Sequence, residues 1–474
     1  MRGYKRRAFS AHRPAVRAIV FLLVCLLAVC RGADLPKRID IYSENPAYWQ
    51  YGGKAVLLLG GSVEDNLFQI ADLQHQLDLL KSVGGNYVRC TMSSRDEGNV
   101  WAFEKVDGKY DLDKWNEEYW SRFERFLELT SRRDIIVQIE LWATFDFYRD
   151  NWRKNSFNPK NNINYTTEDT WLDENVSSHP VRAASNFFWT VPDFSWLAPS
   201  KEMQQRILKY QQRFVDKLLS YSLNYGNVLY CMDNETSVRP EWGWYWSQYI
   251  KGRAKDAVVK VHTTEMWDAH DLSHPMHHAT FDYPQIYSFV DISQNNHQKG
   301  ESHWLNAQKQ RMRIVGNVRP LNNVKIYGAD TGRFGDDRDG MERFWRNIFG
   351  GLASARFHRP PAGLGLGAKA QANIKSARML TDEMDIFKCE PHKDLLSQRG
   401  QNEAYCTANP GTEYAVYFTN GGEVSLDISR MRTAVRVRWL DIMKSEWAGQ
   451  TEAKPVGKLV LRCPSKGYWA VLVR

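Results

Sequence analysis

The chain has 474 residues, is 13% aromatic with 18 Trp, and carries a formal charge of +8. That length exceeds what one hydrophobic core normally holds, so a large domain with a smaller companion is expected. Seven of the basic residues fall in the first 33 positions with no acid among them, which leaves +1 for the remainder. This balance excludes the broad basic footprint of a nucleic-acid binder.

Arg2, Lys5, Arg6, Arg7, Arg13 and Arg17 precede the apolar run Ala18 to Cys30, and Gly32 and Ala33 follow it. A basic region, a hydrophobic segment too short to span a bilayer comfortably and small residues after it read as a signal peptide over 1–33. Cleavage near Gly32 or Ala33 would leave a secreted or periplasmic protein without a membrane span, the alternative being an uncleaved anchor. Five cysteines remain after the leader. Cys90 and Cys231 lie in expected buried strands, while Cys389, Cys406 and Cys463 could supply one disulfide in an oxidising compartment. No CxxC or HxH spacing suggests a metal, and no cofactor motif is present.

From Lys54 the pattern is strand, loop, helix, repeated. Ala55–Leu59 is a first apolar run, followed by Gly60-Gly61-Ser62 and a helix with Leu73, Leu77 and Leu80 on one face. Asn86–Met92 is the second strand, and a helix from Asp113 to Arg133 leads to the third, Asp134–Glu140. The stretch between Leu141 and Pro199 is far longer than an ordinary strand-to-helix connection of about 2–6 residues. It holds Trp142, Phe145, Phe147, Tyr148, Trp152 and further rings. Loops at the C-terminal face of a barrel build its site, so this excursion is a candidate wall of a cleft, with Trp142 its foremost contact residue.

The helix from Glu202 to Tyr225 enters the fourth strand, Asn227 to Asp233, which ends in Asn234 and Glu235. Val258–Glu265, Tyr287–Ser293, Val324–Gly328 and Ala353–Phe357 are strands five to eight. Polar residues follow each of them: Glu265 after the fifth, Asn295 and His297 after the sixth, Asp330 after the seventh, His358 after the eighth. Eight such units predict a (β/α)8 barrel over 34–390. Beyond Phe387 the texture turns to short alternating strands, Tyr414–Phe418, Glu423–Asp427, Val435–Leu440, Lys458–Arg462 and Tyr468–Val473, separated by Gly-rich turns. They predict a small antiparallel β-sandwich over 400–474.

Asn86-Tyr-Val-Arg89, the pair Asn234-Glu235 ending strand four, and a carboxylate after strand seven together resemble the clan A glycoside hydrolases. The C-terminal strands resemble a module found on many barrel glycosidases, of the type labelled collagen-binding, although fold resemblance alone names no ligand. The likeness implies hydrolysis of a polysaccharide or oligosaccharide by two carboxyl groups, about 5–5.5 Å apart in a retaining reaction. It implies Glu235 as acid/base, Asp330 as its partner, Arg89 beside the nucleophile and Asn234 on the hydroxyl next to the anomeric centre. One departure stands out: the clan's residue after strand seven is Glu, one methylene longer than Asp330, so either the backbone sits closer, the nucleophile lies elsewhere, or a water is activated in an inverting reaction. Glu265 is therefore the rival carboxylate, and His297 is a candidate to orient a carboxylate or substrate. A metal-dependent amidohydrolase would need His-x-His on strand one, where Gly60-Gly61-Ser62 stands. A non-catalytic carbohydrate-binding relative is the remaining alternative.

Overall fold

The computed structural model describes residues 37–181, 185–195, 199–329, 332–454 and 457–474. The expected signal peptide and Asp330 lie outside the described residues. Arg38 to Arg474 form one compact unit.

Eight parallel strands close a ring. Leu58–Gly61, Tyr87–Thr91, Ile136–Ala143, Val228–Asn234 and Thr263–Thr264 lie side by side in chain order, and Ser354–Phe357 flanks the first of them. Val290–Asp291 and Leu321–Asn322 pair with each other in parallel. They bridge the opening: Ser288 N donates to Thr263 O at 3.1 Å, and Ala353 N to Leu321 O at 2.9 Å. A helix follows each strand, in order Leu73–Ser82, Glu117–Arg132, Lys201–Ser222, Pro240–Asp256, Pro275–Phe281, Gly300–Arg313, Asp337–Phe349 and Ala368–Thr381. The (β/α)8 architecture expected from the alternation is the one observed.

Boundaries moved where local chemistry overrode the apolar count. The run from Ala55 splits: Lys54–Val56 joins Ile39–Ile41 and Trp49–Tyr51 in a small antiparallel sheet, and the barrel strand starts only at Leu58. Trp49 from that sheet sits at the N-terminal end of the barrel, where its indole N–H donates to Asn322 at 3.0 Å and its ring meets Phe289 edge-on. Val258 is 91% exposed and has a φ of 57°, so the fifth run begins as the exit of a helix rather than as a strand. A hairpin, Phe103–Val106 with Lys109–Trp115, takes the residues read as the start of the second helix. That helix starts after Asn116, whose side chain accepts from Glu118 N, with Glu117 and Glu118 in its first turn and Arg132 in its last.

The barrel interior is hydrogen-bonded rather than oily. Tyr87 donates to Gln138 at 2.7 Å and accepts from Asn322 at 3.1 Å, while the buried Arg356 reaches Val324 O at 2.6 Å and the Ser62 hydroxyl. Each polar group that enters this interior needs a partner, because an unpaired one costs roughly 1–3 kcal/mol.

The C-terminal β region has two antiparallel sheets. One contains Glu390–Pro391, Ala404–Asn409, Glu413–Phe418, Trp469–Val473, Val435–Asp441 and Glu446–Ala453 in spatial order; the other contains Leu396–Ser397, Glu423–Asp427 and Lys458–Arg462. Val416, Phe418 and Val471 of the first share a core with Val424, Leu426 and Leu461 of the second. The opposite face of the larger sheet rests on barrel helices: Tyr417 stacks on Trp345 at 5.5 Å, and Ser376 donates to Ile442 O at 2.7 Å. Cys90, Cys231, Cys389, Cys406 and Cys463 are all free thiols, so the disulfide considered from the sequence is absent among the described residues. No helix among those residues is long and apolar enough to cross a membrane.

Candidate active site

The fourth strand is buried along its whole length, and at its end the chain turns abruptly: Glu235 has a φ of 57°. A left-handed backbone at a non-glycine residue costs on the order of 1–3 kcal/mol and persists only where neighbours fix it. Two hydrogen bonds do so here, Thr236 N to Met266 O at 3.0 Å and Asp268 N to Thr236 O at 2.9 Å.

Three donors converge on Oε1 of Glu235. Lys325 Nζ is in direct contact, and Gln294 Nε2 and the Tyr327 hydroxyl approach at 3.4 Å each. The Lys325 and Glu235 side chains are 2% and 12% exposed. Lys325 also donates to Asn234 Oδ1 at 3.0 Å, which ties both members of the Asn-Glu pair to the segment leaving the seventh strand; that strand ends at Asn322 rather than running over the expected Val324–Gly328. Burial pushes the Glu235 carboxyl upward, yet the Lys325 ammonium and Arg89 together outweigh it, and the group is held below the usual glutamate range.

A second charged cluster lies beside the first. Arg89 is fully buried, in contact with Asp65 and donating from Nε to Glu140 at 2.6 Å. Arg359 and Arg95 reach the same Asp65 at 3.0 and 3.4 Å, with His358 Nδ1 at 3.6 Å. Burial raises the Asp65 carboxyl, but the guanidinium groups, Arg89 foremost, help bring it well below its ordinary value. Tyr327 links the clusters, its ring edge-on to His358 at 4.6 Å and stacked on Phe334 at 4.2 Å.

Arg89, Asn234, Glu235, His297 and His358 thus gather at the C-terminal mouth. His297 stacks on His270, ring centres 3.7 Å apart, and burial together with His270 and Arg333 lowers it to about 4. Three expected residues lie elsewhere. Trp142 is 2% exposed and is enclosed by Phe187, Phe214 and Trp246, because the third strand runs on through it and the helices and loop behind the strand cover its indole. Asn295 is fully buried and spends its amide on His303 O and Asn306, facing the helix Gly300–Arg313.

Glu265 is turned into the barrel wall. It accepts from Asp233 N at 2.8 Å and Met266 N at 3.1 Å, and a Cβ added at Gly243 would meet its Oε2 at 2.0 Å. Only glycine at that point on the helix Pro240–Asp256 leaves room for the carboxyl. Burial, then the neighbouring Asp233, push Glu265 well above the glutamate range.

Several mouth residues were passed over in the sequence. Lys325 interrupts an apolar run, and a lysine in a buried strand demands an anionic partner, a signal that could have exposed the ion pair. Asp65, His179 and His270 sit on loops without periodicity. Tyr148 and Phe145, rather than Trp142, carry the aromatic excursion to the mouth, packing around His179 at 5.4 and 6.2 Å. No group of His, Cys, Asp and Glu among the described residues is arranged to hold a metal ion.

The chain matches no family profile and no curated protein. Solved structures do resemble it. A glycoside hydrolase family 5 protein from Bacteroides vulgatus ATCC 8482 aligns over 92% of each chain with a TM-score of 0.61 and 11% identity. A second putative glycoside hydrolase from that organism aligns over 93% of this chain and 83% of its own, with a TM-score of 0.59 and 11% identity. A noncanonic maltogenic alpha-amylase from Thermotoga neapolitana aligns over 87% and 98%, with a TM-score of 0.52 and 11% identity. At these identities the likeness establishes the fold, a TIM barrel of the kind on which these glycoside hydrolases are built.

Proposed function

We propose that the chain is an exported glycoside hydrolase cleaving a polysaccharide or oligosaccharide, with Glu235 at the centre of its chemistry and Asp330 as the second carboxyl group. The reading rests on one observation above all: a strained, largely buried glutamate at the end of the fourth strand, held by three donors at the mouth of the barrel. Such preorganisation is what charge-stabilising catalysis requires. The similar solved structures, described as glycoside hydrolases, favour a glycosidic bond as the target. A retaining course, with two carboxyl groups flanking the bond, suits this arrangement. The part from 34 to 390 would be the catalytic domain and 400–474 an accessory β domain; residues 1–33 would be removed on export, which N-terminal sequencing of the mature protein tests.

The decisive experiment is hydrolysis of aryl glycosides and oligosaccharides by the wild type and by Glu235→Gln, with the anomeric form of the first product followed by NMR. Turnover lost in the variant and a retained anomer are expected; equal turnover in the two proteins would remove Glu235 from the reaction. A second reading, a protein that binds carbohydrate without cleaving it, is favoured by the Lys325–Glu235 ion pair. Saturable oligosaccharide binding by calorimetry with no turnover in the wild type would establish it.

A further inference from the structure

Two helices on the outside of the barrel, Gly300–Arg313 and Asp337–Phe349, pack together and bury an excess of positive charge. Arg343 and Arg346 are fully buried, and so are Asn347 beside them and His303 on the facing helix. Positions 343, 346 and 347 are spaced so that they share one face of their helix. Both guanidinium groups reach the opening turn of the other helix. Arg343 Nε donates to Gln298 O at 3.1 Å, just ahead of that turn. Arg346 Nη1 donates at 3.0 Å to Asn402 Oδ1, and the carbon of that amide lies 3.5 Å from where a Cβ on Gly300 would stand. His303 lies in the same turn, its backbone N–H donating to Lys299 O at 3.4 Å.

The carboxylates in reach do not balance these cations. Arg343 Nη1 holds Tyr327 O at 2.9 Å and Phe334 O at 2.8 Å, so its acceptors are neutral carbonyls, and no carboxylate touches it among the described residues. Arg346 shares Glu342 with Arg338, at 2.8 and 2.7 Å. Glu301 is taken by Lys393 and Arg399, Asp337 by Lys369 and Asp339 by Lys299. Arg343 Nη2, Arg346 Nε and Nη2, both ring nitrogens of His303 and both amide atoms of Asn347 have no partner among the described residues. Burial, then Arg346 and Arg343, hold the His303 ring well below the usual imidazole range, so it stands beside both guanidinium groups as a neutral N–H donor. Water would satisfy these N–H groups and leave the charge; a buried cation needs an anion in contact.

We propose that Arg343, Arg346, His303 and Asn347 form a binding site for one small inorganic anion of the size and charge of chloride. The set offers N–H donors from two guanidinium groups, an amide and an imidazole, which suits an anion and repels a metal cation. All four side chains are shut off from solvent, which favours a single monovalent atom over a phosphate or a sugar acid. With the anion in contact, the Arg343 charge is neutralised where it stands. Its hold on Tyr327 O and Phe334 O then braces from behind the segment whose Tyr327 hydroxyl reaches Glu235. The site does not depend on the reaction performed at the mouth, so it stands whether or not the chain hydrolyses glycosides.

Two measurements on the wild-type protein test the site. Crystals are grown with sodium bromide as the only halide and diffraction is recorded at the bromine absorption edge. Thermal unfolding is followed against sodium chloride at constant sodium concentration, with gluconate as the balancing anion. An anomalous peak is expected within hydrogen-bonding reach of Arg346 and Asn347. Tm should rise with chloride and then saturate, because an anion that binds only the folded state stabilises it by mass action. Asn347→Leu removes one donor without touching the charges, and should raise the half-saturating chloride concentration about 10-fold. Absence of a bromide peak between the two helices overturns the proposal. A peak without a saturable rise in Tm marks an adventitious ion only and overturns it as well, and so does a half-saturating concentration that Asn347→Leu leaves unchanged. The bromide and chloride measurements need no variant, so a misfolded Asn347→Leu does not blunt the test.

Discussion

Glu235 and Glu265 each follow a neighbouring strand of one barrel, and their surroundings drive them in opposite directions. Glu235 meets an ammonium at the mouth and is held ionised; Glu265 meets Asp233 inside the wall and is pushed toward its neutral form. Glu265 is fully buried and Glu235 largely so, and burial alone does not decide the charge state. The partner does: a cation in contact repays desolvation, whereas a second carboxylate adds to it. A glutamate at a strand end is therefore a candidate for chemistry only once its partner and its direction are known.

Removing the Glu235 carboxyl is the harshest way to probe this contrast. Glu235→Gln should lower kcat/KM by about 1,000-fold or more, as loss of a reacting group does, while Glu265→Gln should stay within a few-fold of wild type. Steady-state kinetics on one substrate decides it, and comparable losses in the two variants would erase the distinction.

The next largest effect falls on stability. Trp142→Ala should cost about 3–5 kcal/mol in denaturant unfolding, the usual cost of emptying a large buried ring site. In Trp142→Phe, KM should remain near wild type, since the indole sits among Phe187, Phe214 and Trp246. A tenfold rise in KM at unchanged stability would return Trp142 to the cleft.

Smaller still is the coupling between Lys325 and Glu235. Each single variant, Lys325→Met or Glu235→Gln, leaves a buried charge without its counterion, and the double variant leaves none. Unfolding free energies of the four proteins should show a coupling of about 2 kcal/mol. Additive losses would mean the two charges are solvated independently.

What the sequence made legible follows from periodicity. The eight strand-helix units, the paired end of strand four and the antiparallel texture after Phe387 all rest on repeats that local residues impose. Four strands of the β region escaped: Glu390–Pro391 and Leu396–Ser397 are only two residues each, Glu446–Ala453 lies on the open edge of its sheet with most side chains in solvent and so shows no apolar alternation, and Ala404–Asn409 is fixed by its neighbours rather than by its own composition. In the candidate site, Asn234, Glu235, His297 and His358 were legible from their places at or after strand ends, and Arg89, inside the second strand, from the resemblance of Asn86-Tyr-Val-Arg89. Side-chain direction was not. Whether Trp142, Asn295 and Glu265 look into the mouth or into the wall depends on helices far along the chain, such as Gly243 making room for Glu265. Lys325 was visible as a charge in an apolar run, but only the closed ring sets it against Glu235.

The mildest prediction sharpens the comparison most. Because Glu265 has a folded-state pKa raised above its unfolded value of about 4.3, the folded protein binds more protons than the unfolded chain between those two values. Stability tied to this group is therefore fully present below about pH 4 and is lost as pH rises toward the folded-state value. Glutamine mimics the neutral acid: its oxygen can accept from Asp233 N and Met266 N as Oε1 does now. Glu265→Gln should then match wild type in acid and exceed it by on the order of 1 kcal/mol at mildly alkaline pH. Glu235 carries the reverse dependence, since its lowered pKa contributes stability above the unfolded value that disappears as pH falls through the folded one. Unfolding free energies of wild type, Glu265→Gln and Glu235→Gln across pH 4–9 read both slopes at once. If the Glu265→Gln curve runs parallel to wild type throughout, Glu265 is already ionised in the folded protein, and the two glutamates differ in direction but not in charge.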